Sequence, residues 1–185
     1  MSGFIAHLEN YLGEIDGGWF QRAEEGEETP PFQVVRFAGG AVPGVVAYAT
    51  LGLARTELRA RVTEDPVRME FVMLIAEHAD DSSVPEVMRE VGMRALDSGS
   101  AVLRGDVIGP EGTTFSVGSQ SALYATLPSS LPPEFATHNG ATFAWLAPIS
   151  DSEARFVGSL GWSSFETHIK ALNIDLTDPE RLSAA

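Results

Sequence analysis

Two apolar runs constrain this chain more than anything else in it: Val45-Val46-Ala47-Tyr48-Ala49-Thr50-Leu51 and Met69-Glu70-Phe71-Val72-Met73-Leu74-Ile75-Ala76. Both are rich in β-branched and aromatic side chains, which suit a pleated, packed surface. In the second run Met69, Phe71, Met73 and Ile75 share one face, and Val72, Leu74 and Ala76 fill most of the other. A strand apolar on both faces is covered on both, so this one belongs near the middle of a sheet. Periodicity alone also admits a buried helix. The residue types, and the turn residues from Thr63 to Pro66 ahead of the run, favour a strand. The polar segment 55–65 is long enough to close a hairpin, which predicts antiparallel pairing of the two runs.

The flanking segments read as cover for that sheet. Phe4, Ile5, Leu8, Tyr11, Leu12 and Ile15 recur at helical spacing, and Gly17-Gly18 supplies a stop, so an amphipathic helix is expected over 1–18. Phe32 to Phe37 reads as a strand, with Gly39-Gly40 and Pro43-Gly44 as the turn into the first central run. Ser83 and Glu86 have capping-box spacing and open a helix whose stripe is Val84, Val87, Met88, Val91 and Ala95. Residues 100–119 are glycine-rich, with short strands expected at Val102-Leu103 and Val107-Ile108. Further strands are expected at 122–127 and 142–147, the second ended by Pro148. Capping boxes at Ser150/Glu153 and Ser163/Glu166 predict two closing helices. The chain of 185 residues is therefore read as one domain, 1–185: an N-terminal helix (1–18), a core (32–172) and a polar tail (173–185), frayed or laid along the surface.

Charge narrows the function classes. Lys and Arg total 12 against 26 Asp and Glu, a formal net charge of −14, which repels nucleic-acid phosphate and anionic membranes. Such a surface serves solubility or receives a basic partner. The absence of cysteine removes disulfides, thiolate metal sites and cysteine nucleophiles, and is compatible with the cytoplasm. No secretory signal is expected from Met1-Ser2-Gly3-Phe4, and no apolar run approaches the ~20 residues that cross a bilayer.

Gly158-Ser159-Leu160-Gly161 and Gly118-Ser119-Gln120-Ser121 both miss the Gly-x-Ser-x-Gly elbow that exposes a nucleophilic serine. The glycines from 39 to 44 lack the Lys and Ser/Thr of a phosphate loop, and neither His-Glu-x-x-His nor a dinucleotide fingerprint occurs. His7 and His168 lie beside helical stripes and read as boundary residues. His78 with Asp80 and Asp81, just after the central strand, is the best acid–base or metal constellation. Its plain reading is a polar loop ahead of the next helix.

Tyr48-Ala49-Thr50-Leu51-Gly52-Leu53 followed by Met69-Glu70-Phe71-Val72-Met73-Leu74 resembles the suppressor of fused family. So does the order Leu146-Ala147-Pro148-Ile149, Glu153, Phe156, Gly161, Phe165 and Asp178-Pro179-Glu180-Arg181-Leu182-Ser183. The resemblance spans about Phe32 to Ser183. It implies an α/β domain of α+β type, with a mixed, largely antiparallel central sheet flanked by helices. It also implies protein binding rather than catalysis; no cofactor is expected. Animal members restrain transcription factors of Hedgehog signalling, and bacterial relatives occur among immunity proteins that neutralise a toxin. The animal proteins hold their partner peptide between two domains; the sequence here runs to Ala185, so that site is not carried over. The matching residues are mostly apolar, Gly or Pro and read as fold determinants.

The expectation is then a bacterial, cytoplasmic, non-enzymatic domain that binds another protein, in one version an immunity protein facing a basic toxin domain. Acidic loops would speed and orient that encounter, which makes Glu24, Glu25, Glu27, Glu28, Asp80 and Asp81 the candidate partner-binding residues. The competing readings are a small metal-dependent hydrolase built on His78, Asp80 and Asp81, and a scaffold whose exposed sheet edge takes up an extended peptide.

Overall fold

The computed structural model describes residues 2–19, 31–109 and 120–185. Its centre is a mixed sheet of nine strands among those residues. In chain order they are β1 (Gly13–Trp19), β2 (Gln33–Gly39), β3 (Val45–Leu51), β4 (Leu58–Arg59), β5 (Pro66–Ala76), β6 (Val107–Ile108), β7 (Ala122–Thr126), β8 (Thr137–His138) and β9 (Ala141–Ile149). The main path runs β1-β2-β3-β5-β9-β7-β6, with β4 paired to β5 and β8 to β9. Of the strand pairs among the described residues, only β5 and β9 run parallel; the two central apolar runs pair antiparallel, Val45 opposite Ala76 and Ala49 opposite Val72. The helices are α1 (Ser2–Leu12), α2 (Val84–Ser98), α3 (Asp151–Leu160) and α4 (Trp162–Ala171).

The double-faced pattern of β5 explains the layering. Met69, Phe71, Met73 and Ile75 pack with Val84, Val87, Met88, Val91 and Ala95 of α2. Val72 and Leu74 pack on the other side with Leu8 and Leu12 of α1 and with Val157 and Phe165 of α3 and α4. Each of these large side chains, fully buried, contributes about 1.5–3 kcal/mol relative to exposure. The strand lies in the middle of the sheet because from Met69 to Ala76 both of its faces are stripped of polar groups, Glu70 excepted.

Several boundaries differ from the sequence reading. The N-terminal helix ends at Leu12 rather than in the Gly17-Gly18 pair, and residues 13–19 form the edge strand β1. Gly13 causes this. Its φ is +93°, and a Cβ there would sit 2.0 Å from the Ala38 carbonyl oxygen, so the chain turns out of the helix onto β2. Ile15 thereby leaves the helical stripe and is exposed. Ser83 makes no capping bond; its N–H instead donates to Asp81 Oδ1 (2.7 Å). The Ser150/Glu153 capping box is present in full. Ser163 lies inside α4, which starts at Trp162 after Gly161, and Glu166 points to other partners. Val102-Leu103 is irregular, while Val107–Ile108 is a strand. Pro148 does not end β9, because β9 pairs with β5 only as far as Trp145 and the missing N–H costs no ladder bond beyond it.

The tail is docked, not frayed. The Ala76 N–H donates to the Thr177 carbonyl (2.8 Å), Gln120 Nε2 to the Pro179 carbonyl (2.9 Å), and the Ala184 N–H to Glu153 Oε1 (2.8 Å). No helix among the described residues is long and apolar enough to cross a membrane.

Candidate functional site

Of the polar groups foreseen as a site, His78, Asp80 and Asp81 do not converge. Glu24, Glu25, Glu27 and Glu28 lie outside the described residues. His78 Nε2 faces Asp178 Oδ1 at 3.4 Å and is well exposed. Asp80 turns the opposite way: its Oδ2 accepts from Arg36 Nη2 (2.8 Å) and its Oδ1 from the Tyr48 hydroxyl (2.6 Å). Asp81 closes the turn before α2. The three side chains of the proposed hydrolase centre thus have three separate engagements, and no group of three possible metal ligands occurs among the described residues.

Asp80 belongs instead to a network on β1, β2 and β3. Arg36 also binds Asp16, and Trp19 packs on Tyr48 with ring centroids 5.8 Å apart. Hydrogen bonding to Asp16, together with Asp80, raises the Arg36 pKa further. Burial and the bond to Asp80 push the Tyr48 hydroxyl up as well, so it stays a donor. Asp80 is therefore committed within the fold, and a partner that used it would have to compete with Arg36. No strand among the described residues pairs with the outer edge of β1, which is proline-free but bulged between Ile15 and Gly17 and carries Glu14 and Asp16.

The quoted Tyr48–Leu53 motif organises a second region. Glu70, 1% exposed, is the one charged residue in the buried part of β5. Its carboxyl accepts from the Thr50 hydroxyl (2.6 Å) and from the N–H groups of Gly52 (2.9 Å), Leu53 (3.3 Å) and Ala54 (3.1 Å). Thr50 Oγ1 in turn accepts from the Phe71 N–H (2.8 Å). Gly52 permits this tight turn, with φ +114° and the Pro31 carbonyl 2.8 Å from where a Cβ would stand. Burial pushes the Glu70 carboxyl above the usual range, and the four donors only partly offset it. This region lines one wall of a groove of about 500 Å³ that also includes Phe4, Arg68 and Asn139.

A second groove, of about 630 Å³, lies between β7, β9, α4 and the tail. Glu166 orders its wall, accepting from Arg104, from the Tyr124 hydroxyl (2.9 Å) and from the Thr126 hydroxyl (3.0 Å). Burial favours the protonated acid, but these donors outweigh it and hold Glu166 below the usual carboxylate range. Tyr124 is pushed up by burial and by Glu166. The Arg104 guanidinium lies 4.6 Å from the centre of the Trp162 ring. Trp145 forms part of the groove lining, and Lys170 stands on its rim. The sequence reading missed Arg104, Trp162 and Lys170; that Lys170 is the chain's one lysine was the available signal. Neither groove gathers a nucleophile, base and oxyanion donors about one point, as acyl transfer requires. Both are concave surfaces of mixed character at the rim of a packed sheet.

The family model described as Suppressor of fused protein (SUFU) matches residues 28–182. A Neisseria gonorrhoeae FA 1090 protein described as a SUFU homolog has a similar solved structure, with TM-score 0.74 and 18% identity over 100% of this chain and 96% of that one. The Sufu-Fu complex structure gives TM-score 0.69 and 15% identity, covering 99% of this chain and 91% of that one. For Drosophila Suppressor of Fused the values are 0.59 and 15%, covering 83% of this chain and 43% of that chain. At these identities the structural likeness shows the fold. No curated protein matches.

Proposed function

The chain belongs to the suppressor of fused protein family, and from that premise we propose that it is a non-enzymatic, cytoplasmic protein-binding domain that neutralises a basic partner protein, a toxin. The observation that carries the reading is the family match over 28–182, taken with a similar solved relative that is itself a protein complex, Sufu-Fu. The geometry supports it. Buried carboxyls such as Glu70 and Glu153 bind the backbone and neighbouring side chains of their own chain, which is a structural use. His78, Asp80 and Asp81 serve separate partners, which leaves the hydrolase reading without an assembled centre.

The net charge of −14 supports the choice of a basic partner. A strongly acidic surface accelerates encounter with a cation-rich protein and loses that advantage as salt rises. The test is neutralisation in cells. Proteins encoded beside this one are expressed with and without it, and growth is followed. Protection against one of them, kept in His78→Ala, is the expected result. No protection against any, together with a catalytic turnover that His78→Ala abolishes, would move the assignment to an enzyme.

A further inference from the structure

We propose that the groove between β7, β9 and α4 receives a segment of a partner protein that presents a carboxylate beside an apolar side chain, with Lys170 as the cation that meets it. This rests on the protein-binding reading and narrows it to one surface.

Charge pairing carries the inference. Every arginine among the described residues has an interaction partner, so that Arg61 meets Asp106, Arg68 meets Glu57 and Arg104 meets Glu166. Lys170 is the exception. In a chain with 26 acidic side chains, its ammonium reaches no acceptor among the described residues. It lies in the last turn of α4, where a cation is favoured by the helix dipole. That accounts for a positive charge there, but it leaves the three donors of the ammonium unused.

Two carboxylates of the groove are in the opposite condition. Glu166, one turn before Lys170 on the same face, is filled by Arg104, Tyr124 and Thr126. Asp175 Oδ1 is filled by the N–H (2.9 Å) and hydroxyl (2.7 Å) of Thr177. The indole N–H of Trp145, a residue 4% exposed that lines the groove, also lacks an acceptor, but it is shut off from solvent, so the ammonium of Lys170 is the donor a ligand can reach. A groove wall whose carboxylate Glu166 is already filled and whose ammonium is idle favours a ligand that brings a carboxylate to Lys170.

Apolar contact is available beside that charge. Leu127, which lines the groove, is 43% exposed; Leu172, two residues after Lys170, is 52% exposed; Trp162, stacked on Arg104, is 41% exposed. Trp and Arg held in place before binding are the side chains that most often anchor a protein interface. Trp162 is fixed by Arg104, Arg104 by Glu166, and Glu166 by β7, so little order remains to be gained on docking.

A phage-displayed library of random dodecapeptides, selected on the full chain, tests this, with synthetic copies of the winners measured by calorimetry. The expected winners carry Asp or Glu next to Leu, Ile or Phe. Lys170→Glu should weaken them by about tenfold or more and Lys170→Arg by less than about threefold, while exchanging the peptide's acid for Lys restores binding to Lys170→Glu. Trp162→Ala should weaken them too, and thermal unfolding of each variant shows that it is folded. Basic winners, acidic winners indifferent to Lys170→Glu, or no enrichment would overturn the proposal. Those results leave the protein-binding reading standing, because neutralisation in cells is scored separately.

Discussion

Arg181 and Glu153 form a buried, two-pronged ion pair: Nη1 to Oε1 is 2.6 Å and Nη2 to Oε2 is 2.9 Å. Glu153 is fully buried and the Arg181 side chain is 8% exposed. The pair joins the first turn of α3 to the tail, and Glu153 at the same time completes the α3 capping box. A buried carboxylate deprived of its cation is costly, so Arg181→Ala is expected to lower stability by about 3–5 kcal/mol. Replacing both partners with apolar residues of similar volume should cost far less. Urea unfolding of the three proteins measures both effects.

Acid should loosen the molecule in two steps. Burial, helped by the neighbouring His138, lowers the His7 pKa from 6.5, although its bond to the Phe135 carbonyl opposes the shift. A group whose folded-state pKa lies below its unfolded-state value stabilises the fold above the latter and loses that contribution as pH falls through the former. His7 stacks on His138 at 4.2 Å, so the first loss falls below pH ~6.5 and loosens α1. Glu153 and Glu166, both held below 4.5, give the second loss below the carboxylate range. Glu70, held above 4.5, acts with the opposite sign: its contribution is complete at acid pH and declines as pH rises through its folded-state pKa. Melting temperature against pH should lose its upper step in His7→Gln and weaken its lower one in Glu153→Gln. An unchanged profile in His7→Gln would exclude His7 as the source.

Glu70 holds the turn after β3 by accepting from three backbone N–H groups. Truncation leaves the Leu53 N–H and the Thr50 hydroxyl buried and without this acceptor, at about 1–3 kcal/mol each, with a smaller cost at the half-buried Gly52 and Ala54. Glu70→Ala should therefore lower stability by roughly 3–5 kcal/mol, and Glu70→Gln, which keeps one acceptor oxygen, by clearly less. Equilibrium denaturation distinguishes them; equal losses would mean that side-chain packing, not hydrogen bonding, dominates.

Gly92 lies inside α2, where Ala would ordinarily stabilise a helix by about 1 kcal/mol. A Cβ there would stand 2.3 Å from the tip of the Phe32 ring. Gly92→Ala is expected to destabilise by about 1–3 kcal/mol, and Phe32→Leu to relieve much of that in the double variant. Additive losses in a double-mutant cycle would contradict the contact.

The frame of the fold was legible because it is written in periodicity. The alternating faces of β5, the α2 stripe and the Ser150/Glu153 box each appear where local pattern places them. The losses came where tertiary contact overrides pattern. Gly13, inside a convincing helical stripe, is fixed by its approach to Ala38 on a strand distant in sequence. Glu166 has capping-box spacing, yet Arg104, 62 residues away, claims it. Arg181 and Glu153 were both visible as residues of the resemblance, but their pairing depends on how the tail returns to α3. The candidate site was least legible, since an unpaired lysine is recognised only once each described arginine has been given its partner.

The central claim is that this chain acts by binding a protein. Purifying it with each protein encoded beside it, and weighing the products by size-exclusion chromatography with light scattering at low and high salt, tests that claim most directly. One stoichiometric complex, weakened as salt rises, is the predicted result. A chain that stays alone beside every candidate and instead turns over a small molecule would contradict it.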